Sequence, residues 1–426
     1  MEDTADIAVV GAGAAGLFTA VWAGRTAQAA GTPLRVVALD SATRLGAKIL
    51  VAGGGRCNVT HHAVTERDYA GSTPASIRKV LQRFPVERTR AFFAELGVEL
   101  KQEETGKLFP TTDQARTVLD ALLGAAQHAS AQLRHPARVE GIRRSDRGFV
   151  LHGLWGQLNA RAVVLCTGGK ALPKSGSDGA GYAFATALGH TVAQPVVPAL
   201  VPLVLQPGHW LTQLSGLALP AELTLWSGTG KRLATAAGSL LCTHFGISGP
   251  AVLDISRHLL VARATDPAAH LTACWLPGQD MEAVDALLVR TKERSVLACV
   301  RTLLPERMAR AVCQAAGVDP AVTVQQTPRE RRRELARLLA RAPLPVTQDR
   351  GFTFAEATAG GVPLAEVRLD TMESRCCPGL YLAGEVLDVD GRIGGFNFQW
   401  AWASGHVAGS SAARALTQPG QSDSAG

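Results

Sequence analysis

Residues 7–16, IAVVGAGAAG, set a short apolar run directly before a GxGxxG loop, and a helical pattern begins where the loop ends. This order of strand, glycine turn and helix constrains the fold more than any other feature of the chain. It is the opening of a βαβ unit that holds a dinucleotide pyrophosphate. Gly11 makes the turn, Gly13 leaves room for phosphates against the backbone, and Gly16 lets the helix pack on the strand. The helix start, with Ala14 and Ala15 between those glycines, aims backbone N–H groups and a positive dipole end at the anion. A second strand over 34–39 ends at Asp40, placed to accept hydrogen bonds from a ribose diol. The polar connection from Arg25 to Pro33 accounts for the acid lying a little later than usual. A tight structural turn is the plain alternative for the loop alone; the flanking strands, helix and acid together favour nucleotide binding.

At 426 residues the chain is long enough for two or three domains, and 46% hydrophobic residues supply ample core. The net charge of +7 is compatible with nucleic acid or with an anionic cofactor. Arginine is spread along the chain, however, and its densest run, 329–341, carries Leu335, Leu338 and Leu339 on one helical stripe. That pattern reads as an amphipathic helix with solvated charges, so nucleic acid is not the expected partner. The eight cysteines include no CxxC pair and no metal-ligand spacing, which predicts reduced, mostly buried thiols and no metal. No apolar run reaches membrane-span length; Val192 to Leu205 comes nearest and is broken by Pro195, Pro198 and Pro202. With no leader pattern before the strand at Ile7, the expectation is a cytoplasmic protein without a membrane partner.

The α/β texture is interrupted and then resumes, which predicts a discontinuous nucleotide-binding domain over 1–190 and 345–415. Between the two parts, 191–278 reads as a β-rich insert of short, proline-punctuated runs and 279–344 as a helical subdomain. The polar tail, 416–426, reads as disordered. Within the first part the pattern predicts a glycine-rich loop over 46–58, helices over 73–96 and 114–130, and paired strands over 138–142 and 148–151.

Two later segments decide between cofactors. The run 163–169, VVLCTGG, is an apolar strand ending at Thr167 and Gly168, an element of large FAD-binding domains of the glutathione-reductase type. The run 381–385, YLAGE, ends a late strand at Gly384 and Glu385, whose carboxylate suits the ribityl hydroxyls of a flavin. Gly394, Gly395, Phe396 and Asn397 then open the last long helix, whose N-terminus favours the negative charge that gathers near flavin N1 and C2 on reduction. Each segment alone is a glycine-rich turn; together with the first loop they point to FAD rather than NAD as the resident cofactor.

These residues also carry a resemblance to a known family, the bacterial BaiN-like or YhiN-like FAD-dependent oxidoreductases. Residues 52–60, AGGGRCNVT, resemble the family's SGGGRCNxT loop with Ala52 in place of serine. Residues 106–110, GKLFP, and 243–250, THFGISGP, are similar to two further family elements, as are 383–391, AGEVLDVDG, and 394–399, GGFNFQ. The segment 167–179 departs from the family's TGDG-like pattern by appearing shortened. The resemblance covers Ile7 to about Gly409. It implies a glutathione-reductase-type FAD-binding Rossmann domain split by a β-barrel-like insert that carries a helical subdomain. It further implies hydride transfer through flavin N5 between NAD(P)H and a small organic substrate, with reduction of a conjugated C=C bond as the reaction class. No second complete GxGxxG unit exists, so NAD(P)H is expected as a transient donor in the substrate cleft. Two other readings stay open: a flavin-dependent RNA-modifying enzyme, from the charge, and a non-catalytic flavin redox sensor, from Cys57 and the vicinal Cys376 and Cys377.

Candidate roles follow, each with an ordinary alternative. Arg56 suits the pyrophosphate charge, against a solvated loop arginine; Asn58 suits a bond to the flavin or to its own loop. Cys57 reads as a small residue packed beside the flavin rather than a redox thiol. Lys48 suits the flavin edge or a substrate carboxylate, against a solvated lysine. Val139 meets the adenine through its backbone. Asp388 supports the flavin pocket, while Asp390 and Gly391 read as turn chemistry. His244, in the insert, is the candidate proton donor, against a histidine that caps the 248–250 turn. The oligomeric state is open.

Overall fold

The computed structural model describes residues 3–291 and 293–417. They form two compact units, one drawn from Met1–Val196 and Ala357–Gly426, the other from Val197–Glu356.

The first unit is built on a nine-stranded sheet. Its parallel centre runs Leu380–Leu382, Gly156–Leu165, Thr4–Val10, Val36–Leu39 and Gln132–Arg134, with Val9 in register with both Val164 and Ala38. Ile7, Ala8 and Val9 are fully buried. A strand covered on both faces reads as a continuous apolar run rather than an alternating one, which is why this one was legible. The helix that follows, Ala14–Ala29, packs along the last helix, Phe396–Thr417. Glycine makes that approach possible: a Cβ on Gly409 would lie 2.3 Å from the carbonyl oxygen of Thr19.

Several expected boundaries move. The stretch 46–58 is not loop throughout; it opens as a helix, Ala47–Gly55, which kinks where Gly53 and Gly54 take φ of 58° and 70°. Pro85 divides the helical stretch 73–96 into Pro74–Leu81 and Val86–Glu95, as a residue without an N–H must. The antiparallel arm pairs Gly141–Ser145 with Gly148–Gly153, leaving Val139 just outside the strand. Asp390 is not in a turn: it pairs with Ala70 in the antiparallel ladder Val389–Gly391 with Tyr69–Gly71. Of the tail expected to be disordered, Leu416 and Thr417 complete the last helix, and 418–426 lie outside the described residues.

The second unit contains a seven-stranded antiparallel sheet. Its order is Ala342–Leu344, His270–Cys274, Ala218–Trp226, Arg232–Thr243, Gly246–Ser248, Leu203–Leu205, Val346–Asp349. Only Pro345 separates the two edge strands, so one extended stretch of chain borders the sheet on both sides. The helices Met281–Arg290, Glu306–Ala315 and Arg329–Ala340 share one core with this sheet, in which Leu223 and Leu271 join Val312 and Leu339. In the arginine-rich helix Leu335, Leu338 and Leu339 are buried, while Arg332 pairs with Asp285 at 2.8 Å and Arg337 with Glu334 at 2.7 Å. Among the described residues no helix is long and apolar enough to cross a membrane.

Candidate cofactor site

In the first unit the loop glycines divide into two kinds. Gly11 has φ +97°, and a Cβ there would lie 2.5 Å from the Cys166 carbonyl oxygen; a Cβ on Gly16 would lie 1.8 Å from the carbonyl oxygen of Gly11. These two serve packing. A Cβ on Gly13 would meet nothing within 4 Å, so the loop is open on that side, where the helix N-terminus directs its N–H groups. Asp40 follows the second strand as expected; its two carboxylate oxygens accept from the backbone of Ala12 at 2.6 Å and of Ala42 at 2.8 Å. It thereby ties the second strand end to the glycine loop and keeps lone pairs for a diol.

The neighbouring strand ends at Leu165, earlier than the pattern suggested, and Thr167 and Gly168 lie in the irregular segment just beyond it, Gly168 with φ +71°. Gly384 abuts the first helix, since a Cβ on it would lie 2.7 Å from the Cβ of Ala15. Glu385 is thus carried to the glycine loops, with its Oε1 2.8 Å from the position of a Cβ on Gly169. Its Oε2 accepts from Lys48 Nζ at 2.7 Å, while Oε1 is buried without a hydrogen-bond partner. The Oδ1 of Asn58 is likewise buried and unpartnered, 2.8 Å from where a Cβ of Gly395 would sit. Buried acceptors of this kind cost about 1–3 kcal/mol each unless a donor meets them. A polyhydroxyl chain and a ring imide are such donors, so these residues fit a flavin dinucleotide.

Other expected contacts are occupied by the protein itself. Asn397 accepts from Gly391 N at 2.8 Å and donates to Gly391 O at 2.9 Å, so its amide pins the Val389–Gly391 strand. Phe396 is buried, stacked on His61 with centroids 4.9 Å apart, and its carbonyl accepts from Tyr69 Oη at 2.8 Å. Arg56 pairs with Glu103 at 2.6 Å and lies over Phe109 at 4.0 Å, an engagement a pyrophosphate would have to compete with. Asp388 accepts through its carbonyl from Ser72 N at 2.8 Å, and Val139 is buried. Cys57 is fully buried and has φ +61°; desolvation pushes its thiol up to about 12, which disfavours the thiolate.

Three features escaped the sequence. Gln399 accepts from Thr60 and Thr89 hydroxyls at 2.8 and 2.9 Å and donates to Phe84 O at 2.8 Å, tying the last helix to three earlier segments. Lys48 and Glu385 pair across 337 residues. Ser374 Oγ accepts from the amides of Cys376 at 3.0 Å and Cys377 at 2.8 Å and lies 2.7 Å from His190 Nε2. With its lone pairs so used, Ser374 donates to Nε2, and His190 Nδ1–H then donates to Glu366 across 2.8 Å. That relay fixes the loop of the vicinal cysteines, of which Cys377 is buried and Cys376 exposed.

In the second unit His244 is exposed on the two-residue turn joining Arg232–Thr243 to Gly246–Ser248, its ring edge-on to Phe245 at 5.1 Å. Thr243 closes this turn, its Oγ1 accepting from Gly246 N at 3.1 Å.

The HI0933-like protein Rossmann domain family matches residues 5–411. The chain belongs to this family. It is 34% identical over 411 residues to a 3-dehydro-bile acid delta(4,6)-reductase of Clostridium scindens, covering 96% of this chain and 98% of the relative. It is 32% identical over 406 residues to a ribosomal RNA dihydrouridine synthase of Escherichia coli, covering 94% and 96%. Among solved structures, a 3-ketosteroid delta1-dehydrogenase from Sterolibacterium denitrificans shares the fold with TM-score 0.51 at 14% identity, covering 97% of this chain and all of that one. Family membership and the three converging motifs make the chain a flavin-dependent oxidoreductase whose Rossmann unit takes FAD. The expectation that it avoids nucleic acid loses its basis, because a relative of nearly equal identity is named for ribosomal RNA.

Proposed function

We propose that the chain saturates a carbon–carbon double bond conjugated to a carbonyl in a small organic substrate, with NAD(P)H as electron donor. The observation that carries this reading is the pair of relatives: both names, one for a 3-dehydro steroid and one for dihydrouridine, describe saturation of such a bond. Bound FAD supplies hydride acceptance and donation. The chain's residues do the rest. Gly11, Gly13, Ala14, Ala15 and Gly16 cradle the pyrophosphate, Asp40 takes the ribose, and Val139, Thr167 and Gly168 line the adenosine side. Glu385, steadied by Lys48, accepts from the ribityl chain. Asn58 and the backbone of Gly395, Phe396 and Asn397 face the ring, with Gly384, Cys57 and Asp388 shaping its surroundings and Arg56 adding positive charge. His244 on the insert is the proposed proton donor to the substrate carbon. Work in the cytoplasm, where NAD(P)H is held, is consistent with the reduced cysteines.

A second reading, reduction of uridine in RNA, is favoured by the dihydrouridine relative and the net charge of +7. It uses the same bond chemistry on a different carrier. Anaerobic mixing of the yellow holoprotein with NADH or NADPH tests the donor: loss of visible flavin absorbance supports it, and an unbleached flavin with both refutes it. Reoxidation by a steroid 4-en-3-one, against reoxidation by unmodified ribosomal RNA, separates the two readings.

A further inference from the structure

Within the first unit, the short helix Ala180–Ala187 ends at Gly189, which takes φ +95°; Gly189 N donates to Thr186 O at 3.1 Å and His190 N to Ala185 O at 3.0 Å. This left-handed cap turns the chain so that His190 leaves the helix into the protein, where it is only 3% exposed. Beside it lies a hairpin, Val367–Arg368 paired with Glu373–Ser374, extended by Arg375 N donating to Glu366 O at 2.8 Å. The hairpin brings Cys376 against the cap: a Cβ on Gly189 would lie 3.5 Å from that of Cys376. One ligand atom each from His190, Glu366 and Cys376 therefore falls within 4.8 Å of the others, and among the described residues this is the one such group of three. Spacing along the chain concealed it, since His190 and Glu366 are 176 residues apart.

The group differs from an ordinary polar cluster in its donors, its spacing and its surroundings. Imidazole nitrogen, carboxylate oxygen and thiol sulfur are a set that Zn²⁺ takes, whereas Mg²⁺ and Ca²⁺ take oxygen. Zinc bonds in a tetrahedron put neighbouring ligand atoms roughly 3.3–3.6 Å apart. Here His190 Nδ1 and Glu366 Oε2 are 2.8 Å apart, and Cys376, on exposed chain, lies no more than 4.8 Å from either ligand. Groups that orient ligands are also in place: Thr191 donates to both Glu366 oxygens, from N at 3.0 Å and from Oγ1, and Ser374 Oγ is 2.7 Å from His190 Nε2. A structural relay accounts for the histidine, the carboxylate and the serine, but not for the thiol.

We propose that His190 Nδ1, a Glu366 carboxylate oxygen and Cys376 Sγ bind one Zn²⁺, with a solvent molecule as fourth ligand on the exposed side. The metal replaces the hydrogen between His190 and Glu366. Cys376 releases its thiol proton to solvent, and the imidazole keeps one hydrogen, now on Nε2. Ser374 Oγ accepts it and gives up the longer of its two amide bonds, that of Cys376 at 3.0 Å, which frees the cysteine to close on the metal. Thiolate and carboxylate together balance the charge of the cation. The bound metal ties the hairpin to the helix end.

The test uses the full-length, tag-free holoprotein, stripped by a chelator under reducing conditions and titrated with Zn²⁺, with Mg²⁺ as the hard-cation control. Calorimetry should give one Zn²⁺ per chain and no Mg²⁺ binding. Zn²⁺ should raise the melting temperature and suppress alkylation of Cys376, read by peptide mass mapping, while leaving that of half-buried Cys274 unchanged. Co²⁺ in its place should add a thiolate-to-metal charge-transfer band to the difference spectrum. Cys376→Ser, at an exposed position, should fold and hold FAD as wild type does, lose the cobalt band and weaken Zn²⁺ by more than about 100-fold, since orienting groups alone contribute about 10- to 100-fold. Thr191→Val, which removes one orienting group, should weaken it by about 10-fold. A wild type that binds no Zn²⁺, or binding whose affinity and cobalt band survive Cys376→Ser, overturns the site.

Discussion

Glu385→Ala separates cofactor binding from folding, and the structure sets the size of each effect. The substitution removes Oε1, the buried oxygen without a partner, and Oε2, which Lys48 holds at 2.7 Å. In the cofactor-free protein these losses nearly cancel. An unsatisfied buried acceptor disappears, which is favourable, while Lys48, whose side chain is 28% exposed, loses an ion pair that solvent partly replaces. With FAD present there is no such compensation, because the charge-assisted bond to the ribityl chain is lost. The expected penalty is about 1.5–3 kcal/mol, or roughly 10- to 150-fold in Kd. Flavin fluorescence quenching measures the Kd, and melting of the apoprotein measures the fold. Weakened FAD with an unchanged apo melting temperature is the predicted outcome. An unchanged Kd would remove Glu385 from the cofactor site; a collapsed apo fold would make the Lys48 pair structural. Lys48→Met gives the complementary result, leaving both carboxylate oxygens unpaired and destabilising the apoprotein.

Gly13→Val should fold, since its Cβ position is open, yet fail to take up FAD; Gly16→Ala, with its Cβ 1.8 Å from a carbonyl oxygen, should disrupt the loop itself. Circular dichroism and flavin content on the two variants distinguish these fates. His244→Ala should leave FAD affinity intact and lower turnover by about 10²–10⁴-fold, the contribution of a general acid, as steady-state rates per bound flavin would show. Burial pushes the Cys57 and Cys166 thiols from 9.0 up to about 12. The folded state therefore holds these protons more tightly than the unfolded chain. Their contribution to stability is complete below pH 9 and lost progressively toward pH 12, which denaturant titrations across that range would detect. Native-state alkylation near neutral pH should label exposed Cys376 and spare Cys57.

Much of the backbone around the candidate cofactor site was legible because its signals are local. The run 7–10 declared a strand buried on both faces, and the spacing of Gly11, Gly13 and Gly16 follows from one turn and one helix start. Asp390 shows where locality misleads: Asp-Gly is a turn signal, but pairing with Tyr69–Gly71 extends that backbone. The glycines of 53–55 likewise concealed the helical start at Ala47, whose residues pack before the left-handed positions intervene. Asn397 was read for the flavin because it opens a helix, yet its amide is used on Gly391. Contacts between distant segments left no trace in the sequence. The Lys48–Glu385 pair, the Glu366–His190–Ser374 relay and the stacking of Arg350 on Phe245 each join residues that only the topology brings together.

The most direct test of the central claim is a single anaerobic turnover: photoreduce the FAD of the purified protein, add a steroid 4-en-3-one, and follow flavin absorbance and the product together. The account predicts one equivalent of reoxidised flavin for each equivalent of steroid whose ring double bond has become saturated. A flavin that stays reduced with that acceptor and with uridine-containing RNA, and is reoxidised only when oxygen enters, would contradict it.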